Sequence, residues 1–233
     1  PSSAASDVYK RQVIAGVLMM VYLPSTSELN QVQRQWGSTS NKQLNTSKIL
    51  RPAEVVKYLT ITFLILVANS VTFVYINPLI LNHGHQMGFV SLALLVNGIA
   101  GVIGTSLGGI LADKLSSKRW LIIAFSIFIV MMLIMNLILH TVTLLLIGLF
   151  IWNIVQWSTN PAIQSGMIEH VEGDTSQVMS WNMSSLNAGI GFGGIIGGLV
   201  VSNISVQAVT IVSAMVGAMG PVSYTHLTLP TKA

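Results

Sequence analysis

The sequence contains no cysteine, and only 8% of its 233 residues are charged. Without a thiol the chain can form no disulfide, no thiolate metal site and no cysteine nucleophile, although this absence does not identify a compartment. Charged residues are also missing from five long, mostly apolar runs. Every acidic or basic residue between Val13 and Gly220 lies in one of three gaps around these runs. This distribution is typical of a polytopic membrane protein, in which charge is confined to the loops.

The uncharged runs have the length of membrane spans. Residues 58–81, 89–112, 120–139, 141–168 and 178–202 each reach the roughly 20 residues that a helix needs to cross a hydrocarbon core of about 30 Å. Two shorter runs, residues 13–24 and 206–220, lie near the two ends of the sequence and are interpreted as truncated helices. The sequence therefore predicts an all-α fold, a polytopic membrane helix bundle whose first and last helices are incomplete.

The first and last dozen residues are related at the nucleotide level. Residues 2–12, SSAASDVYKRQ, can be written in codons that resemble a transposon-end adapter of sequencing libraries. The reverse complement of that DNA string, read from its third base, encodes VSYTHLTLPT, which is residues 222–231. We therefore interpret residues 1–12 and 221–233 as adapter-derived and exclude them from fold reasoning. The remaining chain has eight basic and six acidic residues, so the high overall pI does not support a nucleic-acid partner.

The basic residues indicate the orientation of the spans. All eight lie in two stretches, residues 34–57 and 114–119, which the positive-inside rule assigns to the cytoplasm. Residues 25–56 are rich in Ser, Asn, Gln and Thr, and we interpret them as a cytoplasmic linker between two membrane bundles. The truncated helix before this linker is interpreted as the end of a sixth transmembrane helix, and a bundle over 57–220 follows the linker. This order predicts the second half of a chain built from two six-helix halves.

Polar side chains recur at helical spacing inside two of the spans. The fourth span carries one stripe, which consists of Asn153, Gln156, Trp157, Asn160 and Gln164, with Pro161 beside it. The first span has a weaker repeat every four residues, which consists of Asn69, Phe73 and Asn77. Such stripes face a cavity or another helix rather than lipid. We favour a cavity for the fourth span, and interhelical hydrogen bonding remains the alternative, above all for the first. The third span is apolar almost throughout and is predicted to face lipid.

The loop between the second and third spans carries a family resemblance. Residues 109–119 read GILADKLSSKR, which resembles the major facilitator superfamily loop motif G-x-L-A-D-R-x-G-R-R. The sequence departs from the motif at Ser116 and Ser117, where the family favours Gly and a basic residue. Residues 152–199 are similar to the tenth and eleventh helices of the drug and sugar efflux branch. The resemblance implies the second six-helix half of such a transporter, with a loop that biases its conformation through Gly109, Asp113, Lys114, Lys118 and Arg119. A topology anchor is the alternative for this loop.

Small residues form repeated faces on the second and fifth spans. The two faces consist of Asn97, Gly101, Gly104 and Gly108, and of Asn187, Gly191, Gly194 and Gly198. Faces of small residues let helix backbones approach closely in lipid. The resemblance implies that both helices face the opposite half, along which they would slide, and static packing inside one half is an equal alternative. The G-x-G-x-x-G at Gly189, Gly191 and Gly194 is not read as a nucleotide site, because it lies inside a span and follows no strand.

The resemblance implies a secondary transporter in the bacterial cytoplasmic membrane. It would be a multi-pass, proton-coupled efflux permease for drugs or sugars that works by alternating access. Its partners would be the lipid bilayer, a small-molecule substrate, a coupling proton and the missing N-terminal half of the chain. No span carries a carboxylate or a base, so the group that binds the coupling proton is expected in that missing half.

No cofactor or metal is expected from the sequence. His83 and His85, and the cluster Glu169, His170, Glu172 and Asp174, are interpreted as solvated loop residues on opposite sides of the membrane. A non-transporting sensor or scaffold of the same fold is one alternative to a transporter. A polytopic membrane enzyme is less favoured, because no span carries paired acids, a histidine cluster or a serine with a plausible base.

Overall fold

The computed structural model describes residues 48–226, with side chains up to Gly220. The elements in chain order are β1 (Lys48–Ile49), α1 (Pro52–Phe73), α2 (Ile76–Asn82), α3 (Met87–Leu115), α4 (Ser117–Ile138), α5 (Val142–Ile168), β2 (Val171–Glu172), α6 (Ser176–Asn203) and α7 (Ala208–His226). The segments predicted over 1–12 and 13–24, most of the predicted linker over 25–56, and the side chains of 221–233 lie outside the described residues.

Five helical segments are long and apolar enough to cross a membrane. They are Pro52–Asn82, which combines α1 and α2, and the helices α3, α4, α5 and α6; α7 contributes a shorter apolar helix up to Gly220. The prediction of an all-α membrane bundle is therefore confirmed. The first helix begins at Pro52, earlier than the predicted boundary at residue 58, because proline has a backbone angle suited to the first helical turn and needs no N–H partner there.

The first span is broken, although the sequence predicted one helix over 58–81. Val74 and Tyr75 separate α1 from α2. Pro78 explains the position of the break, because proline has no N–H to donate to the carbonyl four residues earlier, at Val74, and its ring crowds that carbonyl. The α5 helix, by contrast, continues through Pro161.

Two helices form the centre of the bundle. The α5 helix packs mainly against α3 and α4, whereas α1 packs mainly against α6 and α7. Half of the most apolar window of the first span and of α5 is buried, against 22% for α3 and for α6. The α3 and α6 helices therefore flank the bundle, each with a long face that contacts no other described element.

The third span, α4, differs from its prediction as a lipid-facing helix. Phe128 and Met132 are fully buried, while Leu133 and Leu137 are exposed, so only one face is free of protein contact. Asn136 lies on the packed side, where its Nδ2 donates to the carbonyl oxygen of Gln207 at 3.1 Å and to Thr210 Oγ1 at 2.9 Å. The prediction was wrong for this side because α7 covers it with a largely apolar surface that sequence periodicity cannot distinguish from lipid.

Hydroxyl groups join α1 to the last two helices. Thr62 Oγ1 donates to Asn182 Oδ1 of α6 at 2.7 Å. Thr72 Oγ1 lies 2.6 Å from Ser213 Oγ of α7, and Ser213 Oγ donates to the carbonyl oxygen of Ala68 at 2.6 Å. All of these side chains are buried, so the hydrogen bonds satisfy polar groups that lipid could not.

A two-stranded antiparallel sheet lies at the start of α1. Lys48 pairs with Glu172, and Ile49 pairs with Val171. The Leu50 N–H extends the contact by donating to the carbonyl oxygen of His170 at 2.9 Å. The sheet therefore attaches the end of the predicted linker to the loop between α5 and α6.

Candidate functional site

A cavity of about 440 Å³ lies near the middle of the spans. Four helices line it: α1, α3, α5 and α6. Six of the seven predicted cavity residues contribute to its wall, namely Asn69, Phe73, Asn153, Gln156, Trp157 and Asn160. The remaining lining residues are Leu66, Ser70, Val74, Asn97, Thr159, Ile163, Leu186 and Ile190. The two polar stripes expected from the sequence thus meet across one space, between the central helices α1 and α5.

The seventh predicted residue, Asn77, lies beyond this cavity. It is exposed and lines a second, much smaller pocket of about 10 Å³. Phe73, Asn97 and Asn153 line both spaces, so the two are adjacent. The break between α1 and α2 separates Asn77 from the α1 residues of the main cavity.

The amide groups of α5 differ in their hydrogen bonding. Asn153 is buried, and its Nδ2 donates to the Leu149 carbonyl oxygen one turn earlier at 2.7 Å. Gln164 Nε2 donates to Asn160 Oδ1 at 3.4 Å, a long contact. Gln156 is 8% exposed, and its Oε1 has no hydrogen-bond partner among the described residues. Gln156 therefore lines the cavity with a side chain whose amide oxygen is enclosed by the protein and unpaired within residues 48–220.

Two tryptophans on α5 take opposite roles at the cavity. Trp152 is fully buried, donates from Nε1 to Asn69 Oδ1 at 3.1 Å, and meets the Phe73 ring edge-on with 6.2 Å between centroids. Trp157 is 44% exposed and donates from Nε1 to Asn97 Oδ1 at 3.5 Å. Trp152 is thus fixed inside the bundle, while Trp157 covers part of the cavity at its surface.

The cavity wall carries no ionisable group. None of its fourteen lining residues is Asp, Glu, Lys, Arg or His, and its polar atoms belong to amides, hydroxyls and an indole. A charged ligand would lose its hydration here without meeting an opposite charge on the cavity wall. The arrangement is suited to an uncharged molecule with both apolar and hydrogen-bonding parts.

Several lining residues were not singled out as cavity residues from the sequence. Asn97 was placed on the glycine face of α3, and its position one turn before Gly101 was the only signal available. Leu186 and Ile190 lie in the α6 helix and had no signal, because an apolar residue that lines a cavity has the same character as one that faces lipid.

The glycines of α3 lie against α5 of the same bundle. Gly101, Gly104 and Gly108 are buried. A methyl group at Gly104 would come within 2.5 Å of the Ile154 carbonyl oxygen, and one at Gly108 would overlap the Ser158 carbonyl oxygen. These contacts correspond to the static-packing alternative for α3.

The glycines of α6 form two different faces. Gly189, Gly193 and Gly197 lie against the α1 backbone, where a methyl group would come within 2.6–2.8 Å of α1 carbonyl oxygens. On the predicted face, Gly191 has no atom within 4 Å of such a methyl group, and the nearest atom at Gly194 is 4.0 Å away. Gly198 differs, because the Tyr75 hydroxyl lies close to it. The glycines of the G-x-G-x-x-G match lie in the interior of a 28-residue helix.

The loop motif forms a shallow depression at the end of the bundle that carries the basic residues, here called the cationic end. Asp113, Lys114 and Arg119 line it together with Glu169 of the α5–α6 connection. Gly109 lies two turns before the end of α3 with open space beside it, and Lys118 is exposed at the start of α4. Ser116, the single residue between α3 and α4, has φ +73°.

The loop histidines and acids are held by local contacts. His83 Nδ1 donates to the Leu79 carbonyl oxygen at 2.8 Å, and His85 Nε2 donates to the Leu139 carbonyl oxygen at 2.6 Å. Asp174 accepts hydrogen bonds from the Ser176 hydroxyl at 2.6 Å and from its backbone N–H at 2.9 Å, which hold the pKa of this carboxyl below its usual value. Residues 48–220 contain no group of three or more side chains placed to hold a metal ion.

Comparison with known proteins identifies relatives of the whole bundle. A family model described as Major Facilitator Superfamily matches residues 13–176. An uncharacterized MFS-type transporter of Bacillus subtilis (strain 168), YbcL, is 30% identical over 205 residues, which are 87% of this chain and 50% of that protein. Two Helicobacter pylori proteins, each named a probable sugar efflux transporter, are 25% identical over 170 residues, 72% of this chain and 43% of theirs.

These matches agree with the loop motif and with the helical bundle described above. The chain spans about half the length of the curated relatives that it matches. The family model covers more than half of the chain, including all of the loop motif and the polar stripe of α5. The chain belongs to the major facilitator superfamily.

Proposed function

We propose that the full-length protein is a secondary transporter that moves a small, uncharged solute through the mid-span cavity by alternating access. The observation that carries the proposal is the cavity itself, which is free of ionisable side chains and lies between the two central helices. Substrate sites of secondary transporters lie near the bilayer midplane at the boundary between two halves of the fold. The names of the Helicobacter relatives favour efflux of a sugar, and a drug is the alternative substrate.

The unpartnered amide supports solute binding over simple helix packing. A buried acceptor without a hydrogen bond costs about 1–3 kcal/mol, so packing alone would favour an apolar side chain at position 156. A solute with hydroxyl or N–H groups can provide the missing donor once the Gln156 side chain turns its oxygen into the cavity. Asn160 and Asn153 lie one turn away on either side of Gln156, within reach of the same solute.

The exposed faces of α3 and α6 support a second half opposite the cavity. Gly191 and Gly194 leave this side of α6 open, and large apolar residues of α3, including Val102 and Ile99, are at least half exposed. We propose that the N-terminal half covers these faces and completes the cavity. It would also carry the group that binds the coupling proton, because the carboxylates of the described spans, Glu54 and Asp113, lie near the cationic end and not at the level of the cavity.

The loop motif is proposed to bias the conformation of the transporter. Asp113 has no ion pair within residues 48–220, and Arg119 and Glu169 line the same depression. A change in the tilt of α3 relative to α4 and α5 would bring Asp113 and Arg119 together or separate them. Lys114 and Lys118 would take part in the same charge rearrangement, and Gly109, with open space beside it, would leave room for the tilt.

The test of the proposed function is truncation of the amides in the full-length transporter. Gln156→Ala and Asn160→Ala are expected to weaken solute binding about two- to twelvefold each, which corresponds to the loss of one neutral hydrogen bond. Asn203→Ala is the matched control, because Asn203 is an exposed amide at the end of α6, outside the cavity. Solute affinity, taken from the concentration dependence of uptake into inverted vesicles, and membrane expression are measured for each variant.

Two outcomes would contradict the proposal. If uptake and the amount of folded protein fall in parallel for Gln156→Ala and Asn160→Ala, with unchanged solute affinity, the amides act in helix packing. If the wild-type protein binds solute without moving it across the membrane, a sensor of the same fold is the better description.

A further inference from the structure

The cavity changes in character along its length. The α1 and α5 helices are antiparallel, so Leu66 and Ile163 both lie toward the cationic end, and Leu186 of α6 lies on the same side. These three side chains are apolar, and Asn160, one turn before Ile163 on α5, is the amide on this side. Asn97 of α3 and Asn153 of α5 line the other part of the cavity, farther from the cationic end. An uncharged amphipathic molecule is therefore expected to place its polar head group near Asn97 and Asn153.

The small pocket continues the cavity in this direction. On α5 its lining residues begin at Leu149, before Asn153, and on α3 they begin at Ala93, before Asn97. On the first span they continue past the helix break to Ile80. On all three helices, the lining of the small pocket therefore extends farther from the cationic end than the lining of the main cavity does. Its volume of about 10 Å³ leaves room for one water molecule at most.

Trp152 packs against two residues that line the main cavity, Asn69 and Phe73. It lines the small pocket and does not line the main cavity, yet its indole reaches Asn69, which does. The hydrogen bond to Asn69 and the edge contact with Phe73 fix the ring from the α1 side. Because Trp152 is fully buried and held on two sides, it cannot move aside without losing both contacts.

We propose that Trp152 is a specificity-determining residue, which limits the size of the polar head group that the cavity accepts. The solute class is a neutral amphipath, with a hydroxyl-bearing head beside Trp152 and an apolar part against Leu66, Ile163 and Leu186. Asn69 is a positioning residue that holds the indole in place. This inference rests on the proposed function, because it takes the cavity as the solute site.

Two glycosides with the same tail test this limit. Hexyl β-D-glucoside and hexyl β-D-maltoside differ by one sugar ring in the head group. The full-length transporter is placed in lipid nanodiscs with a single cysteine introduced by Leu186→Cys, after removal of any cysteine in the other half. Protection of this cysteine from a maleimide gives an apparent affinity for each glycoside. The chain described here contributes no competing thiol.

The wild-type cavity is expected to prefer the glucoside by at least about tenfold, a discrimination within reach of a rigid pocket. Trp152→Ala is expected to bring the two affinities within about twofold of each other, because it opens the cavity toward Asn77. Trp152→Phe and Asn69→Leu are expected to give intermediate ratios. The control is Trp181→Ala, which removes an exposed tryptophan of α6 that lines neither space and should leave the wild-type ratio unchanged.

The outcomes separate this inference from the proposed function. If both glycosides protect the wild type but Trp152→Phe and Asn69→Leu keep the wild-type ratio, Trp152 does not set the limit. These two milder variants keep that conclusion available even if Trp152→Ala fails to fold. If neither glycoside protects the cysteine in any folded variant, the cavity does not bind neutral amphipaths, and the proposed solute site is rejected together with the inference.

Discussion

Asn69 makes the polar contact that fixes Trp152 between the two central helices. Its Oδ1 accepts a hydrogen bond from Trp152 Nε1, and the indole has no exposed surface. A tryptophan N–H in such a position usually requires a partner, because water cannot replace it. The same amide therefore serves the stability of the bundle as well as the proposed solute site.

Replacement of Asn69 by Leu is expected to destabilise the protein. It leaves Trp152 Nε1 buried and unpaired, which costs about 1–3 kcal/mol. The measurement is the thermal unfolding of the full-length protein in lipid nanodiscs. Asn77→Leu is the control, because Asn77 is exposed and its side chain makes no hydrogen bond within residues 48–220. Equal melting temperatures for the two variants would show that the Trp152 hydrogen bond contributes little.

Ser116 adopts a backbone conformation that explains the glycine of the family motif. Its φ of +73° and ψ of +144° lie in a region that residues with a Cβ rarely occupy. The one-residue connection between α3 and α4 requires this conformation. A glycine at this position would adopt the same conformation without the steric cost of a Cβ atom.

Ser116→Gly is expected to stabilise the protein by about 1–3 kcal/mol, the usual cost of such a conformation for a residue other than glycine. Ser126→Gly, in the interior of α4, is expected to destabilise it by a few tenths of a kcal/mol. Chemical denaturation of both variants measures the change in the free energy of unfolding, which is expected to be positive for Ser116→Gly and negative for Ser126→Gly. Destabilisation by Ser116→Gly would mean that the connection has a different backbone conformation.

At the scale of elements, the contact between α3 and α5 depends on the absence of side chains at three positions of α3. Gly104→Ala is expected to separate the helices, because the new methyl group would meet the Ile154 backbone. We expect a loss of about 1–3 kcal/mol, the usual cost of overpacking, measured by thermal unfolding. Gly98→Ala on the same helix is the control, since it meets no atom within 4 Å and improves helix propensity. A melting temperature for Gly104→Ala equal to or above that for Gly98→Ala would contradict this packing.

The elements that the sequence predicts well are those with a strong local signal. Charge-free runs identify the spans because lipid excludes charge over their full length, and the spacing of Gln156 and Asn160 places both on one face of α5. The helix break at Val74 was missed because the proline that causes it, Pro78, lies four residues later in the sequence than the carbonyl group it leaves without a donor. The apolar cavity wall at Leu186 was missed because lipid, a helix partner and a solute favour the same side chains.

At the scale of the whole molecule, we expect the cationic end of the bundle to face the cytoplasm. Cysteines introduced by Gln86→Cys and Lys114→Cys are expected to react with a membrane-impermeant maleimide from opposite sides, because α3 separates these positions. Lys114→Cys is expected to react from the cytoplasmic side. Intact cells and inverted vesicles provide the two directions of labelling. Reaction of both cysteines in intact cells would overturn the orientation and the single crossing of α3.

The hydrogen bonds of α1 with α6 and α7 can form only after those later helices have been synthesised. Asn182, the partner of Thr62, is 120 residues later in the chain, and Ser213, the partner of Thr72, is 141 residues later. At about 5–20 residues per second, a ribosome needs roughly 6–28 s to synthesise these intervals. During this interval, Thr62 can donate its hydroxyl proton to the Tyr58 carbonyl oxygen, 3.0 Å away, instead of to Asn182. The first span is therefore the part of this bundle that is exposed longest to misassembly or to degradation before the chain is complete.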